Sequence, residues 1–150
     1  MLKLQAYDPK LCSLVDGGQE LIEIVNGGEF FEGPIWSRKK QTLVFSDIPG
    51  NTLYSWNETE GQVVIKKDTN RGNGNAFDNS GRIITCEHYT RRVARMRMDG
   101  SEYETLATNY EGHCLNSPND VIVHSNGFVY FTDPVFGIRP TGTGICRHAE

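Results

Sequence analysis

Three stretches of this chain follow one plan, and this repetition limits its possible folds more than any other feature. Each has a polar turn and then a short run of strand-forming residues that ends at an acidic residue: Pro34–Pro49, Phe77–His88 and Val123–Pro134. The acidic residues Asp47, Glu87 and Asp133 are 40 and 46 residues apart. A repeat of about 40–45 residues made of short antiparallel strands is typical of a β-propeller blade. Because inner strand ends face the central channel of a propeller, we expect these acids to converge there.

Strand signals also fill the rest of the chain. Turn residues separate short runs of β-branched and aromatic residues, and no window keeps an apolar period of 3.6 residues. We therefore predict an all-β fold, with an irregular segment over residues 1–18 and a propeller domain over residues 19–150. A β-sandwich is the competing arrangement. The predicted strands are Leu21–Val25, Gly33–Trp36, Thr42–Ser46, Thr52–Trp56, Val63–Lys66, Ala76–Phe77, Ile83–Cys86, Arg92–Met98, Tyr103–Ala107, Val121–Val123 and Phe128–Phe131.

The length determines how much of a propeller the chain can form. Closed propellers have about 4–8 blades, whereas 150 residues at this period supply about three. We therefore expect a partial propeller, which is either the N-terminal half of a longer domain or one member of a self-associated pair. Open propeller edges at both ends would favour self-association, because unpaired strands invite partners.

Composition and charge argue against several classes of protein. The net charge is −4, and the one basic cluster, Arg91–Arg97, lies on a predicted surface strand; nucleic acid is therefore not an expected partner. No apolar run approaches the ~20 residues of a membrane span, and the N-terminus lacks a signal-peptide pattern, so we expect a cytoplasmic protein without membrane contact. The four cysteines form no CxxC pair, which favours reduced, partly buried thiols over zinc or disulfides.

Polar side chains cluster at the ends of the last two predicted strands. Asn116, Ser117, Asn119 and Asp120 come before one strand, and Asp133 follows the next. Oxygen-bearing side chains at strand ends can form a small polar site on a rigid sheet.

Six ordered motifs carry a resemblance to a known family. The motifs are EGPIW (Glu32–Trp36), LVFSDIPGNTLYSW (Leu43–Trp56), GNGNAFDNSGRIITCEH (Gly72–His88), RRVARMRMDG (Arg91–Gly100), YEGHCLNSPNDVIV (Tyr110–Val123) and GFVYFTDPVFGI (Gly127–Ile138). With these motifs the chain resembles the gluconolactonase/regucalcin (senescence marker protein) family, in its bacterial and fungal gluconolactonase-like branch, over residues 19–139.

The resemblance implies a six-bladed propeller that hydrolyses sugar-derived lactones in carbohydrate metabolism. Water would attack a lactone carbonyl polarised by a divalent cation, with calcium expected and zinc or magnesium as alternatives. Glu32 matches the family's carboxylate ligand, and Asn119 matches the asparagine at the metal and substrate. The two remaining ligands, an Asn and an Asp that is also the proposed base, have no counterpart before Glu150, so the catalytic residue is unknown.

Five residues are candidates for binding the sugar lactone, and most have a structural alternative. Asn119 could instead form a turn after Pro118, His88 could be a structural histidine, and Asp133 could be a turn former before Pro134. Glu32 could likewise be an exposed turn acid, and Asp120 is expected to support the backbone. The substrate-binding candidates are Asn73, Asn75, His88, Asn119 and Asp133.

Two functions remain open at the level of sequence. The first is a metal-dependent lactone hydrolase, and the second is a catalytically inactive propeller fragment or binding module. The chain contains no GxSxG elbow for a serine nucleophile and no GxGxxG sequence opening a helix. Neither a serine hydrolase nor a dinucleotide-binding enzyme is therefore expected.

Overall fold

The computed structural model describes residues 6–15 and 22–138, and these residues form an almost entirely β structure. The all-β prediction is confirmed. Two short 3-10 helices, Pro9–Ser13 and Phe136–Ile138, are the helical segments of the described residues. The strands are β1 (Phe31–Ser37), β2 (Thr42–Asp47), β3 (Thr52–Asn57), β4 (Gly61–Lys67), β5 (Gly72–Phe77), β6 (Ile83–Glu87), β7 (Arg92–Met96), β8 (Glu104–Ala107), β9 (Asn109–Tyr110), β10 (His113–Cys114), β11 (Val121–Val123) and β12 (Val129–Phe131).

The strands form two complete blades and two hairpins. Strands β1-β2-β3-β4 make one antiparallel sheet, the first blade, and β5-β6-β7-β8 make the second blade. Strands β9 and β10 pair as one hairpin, and β11 and β12 pair as another, the third-blade hairpin. Sheets of four sequential antiparallel strands are the units of a propeller, so the described residues form a partial propeller.

The second blade buries both of its faces, and it does so with consecutive residues. Ile83 and Ile84 are both 0% exposed, but Ile83 packs with Val44 and Leu53 of the first blade. Ile84 instead packs in a cluster that contains Val121 of the third-blade hairpin. Successive strand side chains point to opposite faces, so one strand joins three blades. Each such buried side chain contributes about 1.5–3 kcal/mol relative to exposure.

The third-blade hairpin has one covered face and one open face. Phe131 packs toward the second blade, whereas Ile122 and Tyr130, which pair across the hairpin, are 63% and 53% exposed. Trp36 of the first blade is also exposed, at 47%. Exposed apolar side chains therefore remain on the first blade and on the third-blade hairpin.

One predicted strand is wrong, and one hairpin in the structure was not predicted. Residues 22–25 of the predicted strand Leu21–Val25 have no strand pairing, and Ile22 is 80% exposed; Leu21 lies outside the described residues. An apolar alternation alone does not make a strand without a hydrogen-bonding neighbour. The hairpin β9–β10 was not predicted, although its two-residue turn, Glu111-Gly112, has positive φ at both positions, the signature of a tight hairpin.

The segment predicted to be irregular contains one helical turn. Asp8 caps the 3-10 helix Pro9–Ser13, and its Oδ1 accepts a hydrogen bond of 2.8 Å from the Lys10 backbone nitrogen. Residues 1–5 and 16–18 of this segment lie outside the described residues. No helix in the described ranges has the length and apolarity needed to cross a bilayer.

Candidate functional site

The inner strands of the two blades and the segment before β11 enclose a polar cavity of about 180 Å³. Four of the predicted site residues lie in its wall, whereas His88 and Asp133 do not. The lining residues are Glu32, Gly33, Pro34, Asn73, Gly74, Asn75, Asn119 and Asp120. The structure thus brings together residues that are up to 88 positions apart in sequence.

Two glycines allow the inner strands to approach this closely. Gly33 has φ +59°, and a Cβ there would lie 2.2 Å from the Asn73 carbonyl oxygen. A Cβ on Gly74 would lie 2.5 Å from Cα of Asp120, while the Gly74 nitrogen donates to the Asn119 carbonyl at 2.8 Å. Only a residue without a side chain fits at such a contact. Both inner strands also have a bulge here, which redirects side chains next to a site.

Asn75 connects the first blade to the second. Its Nδ2 donates to the Gly33 carbonyl at 2.9 Å, to Ser46 Oγ at 2.8 Å and to the Asn73 carbonyl at 3.0 Å. Its Oδ1 is buried and has no hydrogen-bond partner among the described residues. Because an unpaired buried carbonyl costs free energy, this oxygen is suited to a ligand or a cation.

Asn73 contacts the buried His88 behind the cavity wall. Asn73 Nδ2 lies 3.1 Å from His88 Nε2, and the two residues are 6% and 5% exposed. Burial lowers the pKa of His88, because an apolar environment disfavours the imidazolium. The structure therefore places His88 one hydrogen bond away from the cavity, and its predicted contact with substrate stays a prediction.

Glu32 and Asn119 have side-chain oxygens that the fold leaves largely unused. Glu32 is exposed, and its Oε2 accepts one 3.3 Å hydrogen bond, from the adjacent Gly33 nitrogen. Asn119 is anchored through its backbone, whose nitrogen donates to the Thr132 carbonyl at 2.9 Å. Its side chain makes no hydrogen bond within residues 22–138. By contrast, Asp120 Oδ1 accepts from the Val121 nitrogen at 2.9 Å, in line with backbone support.

The three acids at the strand ends are not among the residues that line the cavity, and their convergence on a central channel stays a prediction. Asp47 accepts hydrogen bonds of 3.1 Å from the backbone nitrogens of Glu29 and Phe30. Asp133 Oδ2 accepts from the Asn116 nitrogen at 2.7 Å. Each acid accepts hydrogen bonds through at least one oxygen, but Asp133 Oδ1 and Glu87 Oε1 have no hydrogen-bond partner among the described residues. A substrate contact for Asp133 stays a prediction.

Glu87, the third of these acids, is held by side chains. Its Oε2 accepts from Arg92 Nε at 2.7 Å, from Asn70 Nδ2 at 3.1 Å and from the Thr90 hydroxyl. Burial raises the pKa of this carboxyl, against the opposing effect of those donors. Cys86 beside it is also buried. Burial, and to a smaller extent the negative charges of Asp120, Asp133 and Glu87, raise the pKa of the Cys86 thiol to about 12.

The cysteines differ in exposure more than the sequence indicated. Cys86 is buried, whereas Cys12 and Cys114 are exposed, and all three are free thiols. Cys146 lies outside the described residues. One of the three described cysteines is thus buried and two are exposed, and their reduced state stays a prediction.

The donor groups at the cavity are suited to a hard cation. They comprise the Glu32 carboxylate and the Asn119 amide, together with Asn75, whose unpartnered Oδ1 is buried within the wall. Calcium prefers such carboxylate and amide oxygens. Among residues 6–15 and 22–138, no three His, Cys, Asp or Glu side chains lie together as a metal-binding group, so the nitrogen and sulfur ligands typical of zinc are not gathered here.

Comparison with protein families gives one match over most of the chain. Residues 30–149 match the family model for the SMP-30/Gluconolactonase/LRE-like region. The gluconolactonase of Zymomonas mobilis is 27% identical over 149 residues, which cover 91% of this chain and 42% of the relative.

Two solved structures share both the sequence pattern and the fold. A gluconolactonase from Xanthomonas campestris is 39% identical with a TM-score of 0.74, over 79% of this chain and 39% of that one. A putative gluconolactonase is 32% identical with a TM-score of 0.84, over 91% of this chain and 47% of that one. The chain therefore spans less than half the length of each of these relatives.

Proposed function

This chain belongs to the SMP-30/gluconolactonase/LRE-like family, and from that premise we propose that it forms part of a metal-dependent hydrolase of sugar-derived lactones. The observation that carries the proposal is the cavity in which Glu32, Asn73 and Asn119 lie together on three successive inner segments. Two of these match the family's metal motifs, and the third is a polar neighbour able to bind a hydroxyl group.

Glu32 and Asn119 would hold the cation, with the Oδ1 of Asn75 as a further oxygen donor. Calcium is the cation that this oxygen-rich set favours over zinc, and magnesium is a second oxygen-preferring candidate. When bound, such a cation polarises the carbonyl oxygen of a lactone toward attack by water.

The chain's own residues would orient the substrate. The amide of Asn73 and that of Asn119 can each hydrogen-bond a sugar hydroxyl, and the rigid inner strands fix their positions. The Asn119 backbone is bonded on both sides, to Gly74 at 2.8 Å and to Thr132 at 2.9 Å. Such fixed positions lower the entropic cost of bringing substrate into a reactive orientation.

Calcium titration of the 150-residue chain tests the metal site directly. We expect calcium binding that Glu32→Gln and Asn119→Ala each weaken by more than about tenfold, by analogy with losses at outer-shell metal contacts. Glu58→Gln is the matched control, because Glu58 is an exposed glutamate outside the cavity wall. Equal affinity in all four proteins, measured by isothermal titration calorimetry, would remove Glu32 and Asn119 from the site.

A second candidate, a binding module without turnover, draws support from the exposed apolar residues. Trp36 on the first blade and Ile122 with Tyr130 on the third-blade hairpin are suited to contact with further blades or with a second copy. Light scattering of the chain, together with gluconolactone hydrolysis in a pH-stat, separates the two functions. Rapid, calcium-dependent turnover by a monomer would contradict this second candidate.

A further inference from the structure

We propose that His88 is a positioning residue, which turns the Asn73 side chain so that its Oδ1 faces the cavity as a hydrogen-bond acceptor. This inference rests on the proposed function, because the acceptor would receive a hydroxyl of the sugar lactone. His88 itself does not line the cavity, so it acts through Asn73.

The chemistry of the two groups fixes which atom donates. The Nδ2 of an asparagine can only donate hydrogen bonds, so His88 Nε2, which lies 3.1 Å from it, is the acceptor of this hydrogen bond. His88 is therefore the neutral tautomer with its proton on Nδ1. Burial lowers the pKa of His88 and so favours this neutral form.

The direction of this hydrogen bond decides what Asn73 presents on its other side. With Nδ2 turned to His88, Oδ1 is the free atom of the amide, and it makes no hydrogen bond within the described residues. The backbone of Asn73 is fixed by its carbonyl, which accepts from Ser46 Oγ at 2.8 Å and from Asn75 Nδ2 at 3.0 Å, so the orientation of the amide depends on its side-chain hydrogen bond.

His88 is anchored through its backbone, and its side chain is packed against a neighbouring turn. The His88 backbone nitrogen donates to the Arg71 carbonyl at 3.3 Å, which ties it to the start of β5. On the other side, a Cβ on Gly137 would lie 3.1 Å from both Cβ and Cγ of His88. The turn after β12 thus packs against the histidine, and that turn is fastened by a 2.8 Å hydrogen bond from the Gly137 nitrogen to Ser117 Oγ.

Two substitutions of His88 separate positioning from simple packing. His88→Gln keeps an oxygen that can accept from Asn73, whereas His88→Leu fills the space but accepts nothing. We expect the Leu variant to bind a non-hydrolysable lactam analogue of gluconolactone about tenfold more weakly, the cost of one hydrogen bond. The Gln variant should stay within about threefold of the wild type, and calcium affinity should be unchanged in both. His124→Leu, at an exposed histidine in the β11–β12 turn, is the control.

Nitrogen-15 NMR of the imidazole gives a readout that is independent of the sugar. We expect the proton on Nδ1 of His88 at neutral pH, and a shifted Asn73 amide signal in the Leu variant. A proton on Nε2, or equal analogue affinity in wild type and Leu variant, would overturn the proposal. If the wild type binds no analogue, the lactonase proposal fails, and so does the proposed contact between Asn73 Oδ1 and the sugar. A proton on His88 Nδ1 would in that case still establish the orientation of the Asn73 side chain.

Discussion

The first and second blades share one strand order, but they hold the acid that ends their second strand by different means. Within residues 22–138, Asp47 in the first blade accepts only from backbone nitrogens, those of Glu29, Phe30 and Gly50. Glu87 in the second blade accepts from side chains and pairs with Arg92 at 2.7 Å. The acid at this position of the repeat therefore binds backbone nitrogens before β1 in the first blade, whereas in the second blade it joins a network of side chains.

The two blades also differ in how each contacts the next segment through an inner-strand glycine. Gly33 of the first blade contacts the second blade and has φ +59°, so an added Cβ there would be both strained and crowded. Gly74 of the second blade contacts Asp120, and an added Cβ there would mainly be crowded. Backbone strain and overlap would thus combine at Gly33, and overlap would dominate at Gly74. Cavity geometry depends on both contacts.

The largest effect is expected from alanine at these glycines. Gly33→Ala should lower the free energy of unfolding by about 3 kcal/mol or more, because left-handed strain adds to overpacking. Gly74→Ala should cost about 2 kcal/mol from overpacking alone. Gly81→Ala is the control for strain: it has φ +81° with nothing within 4 Å of a Cβ, and should cost about 1 kcal/mol. Urea denaturation measures all three, and equal losses would contradict the proposed difference.

A smaller difference is expected when each acid becomes its amide. Asp47→Asn should cost about 2 kcal/mol, since its new NH2 group faces a backbone donor that the carboxylate had satisfied. Glu87→Gln should cost about 1 kcal/mol or less, because the glutamine NH2 can take the place of Oε1, which has no partner, while its oxygen still accepts from Arg92. Thermal or urea unfolding of the two variants, with Glu58→Gln as the exposed control, tests this order. A larger loss for Glu87→Gln would reverse the comparison.

The smallest effect is a pH dependence in which the neighbouring residues Glu87 and His88 act in opposite directions. The pKa of Glu87 is raised above 4.5, so its contribution to stability is full below pH 4.5 and is lost as the pH rises through its folded pKa. The pKa of His88 is lowered from 6.5, so its contribution is full above pH 6.5 and is lost as the pH falls below it.

Two variants separate these contributions in unfolding curves collected between pH 4 and 8, the range in which such groups titrate. His88→Gln should lose less stability than the wild type as the pH falls from 6.5. Glu87→Gln should lack the stability that the wild type gains as the pH falls toward 4.5. If each variant follows the wild type in parallel across the range, these two groups do not set the pH dependence.

Much of the fold could be predicted from strand signals, but the inner strands were harder. The pattern located β2, β3 and β6 within one or two residues, since their β-branched and aromatic residues favour strands. It missed most of β5, GNGNAF, because glycine and asparagine are poor strand formers. These residues form a strand because neighbouring blades bind their polar groups, such as Asn75 Nδ2, which donates to a carbonyl 42 residues away.

The residues of the candidate site could also be predicted only in part, because their surroundings depend on contacts between blades. Motif resemblance identified Glu32 and Asn119, and residue chemistry added Asn73 and Asn75; all four line one cavity. Residue chemistry also suggested His88 and Asp133, which lie behind the wall and beside Asn116. Polar residues at strand ends look alike in sequence, whether they face a channel or bond the backbone.

The sequence by itself determined the propeller repeat, the family and the oxygen-bearing residues of the inner strands, because these depend on local pattern and residue type. Only the tertiary structure decided which of those oxygens are left without partners. At the end of β2, Asp47 accepts from nitrogens 3, 17 and 18 residues away, whereas Asn75 Oδ1 on an inner strand has no partner among the described residues. Hydrogen bonding is settled by contacts between distant segments, so availability for a ligand is a property of the assembled blades.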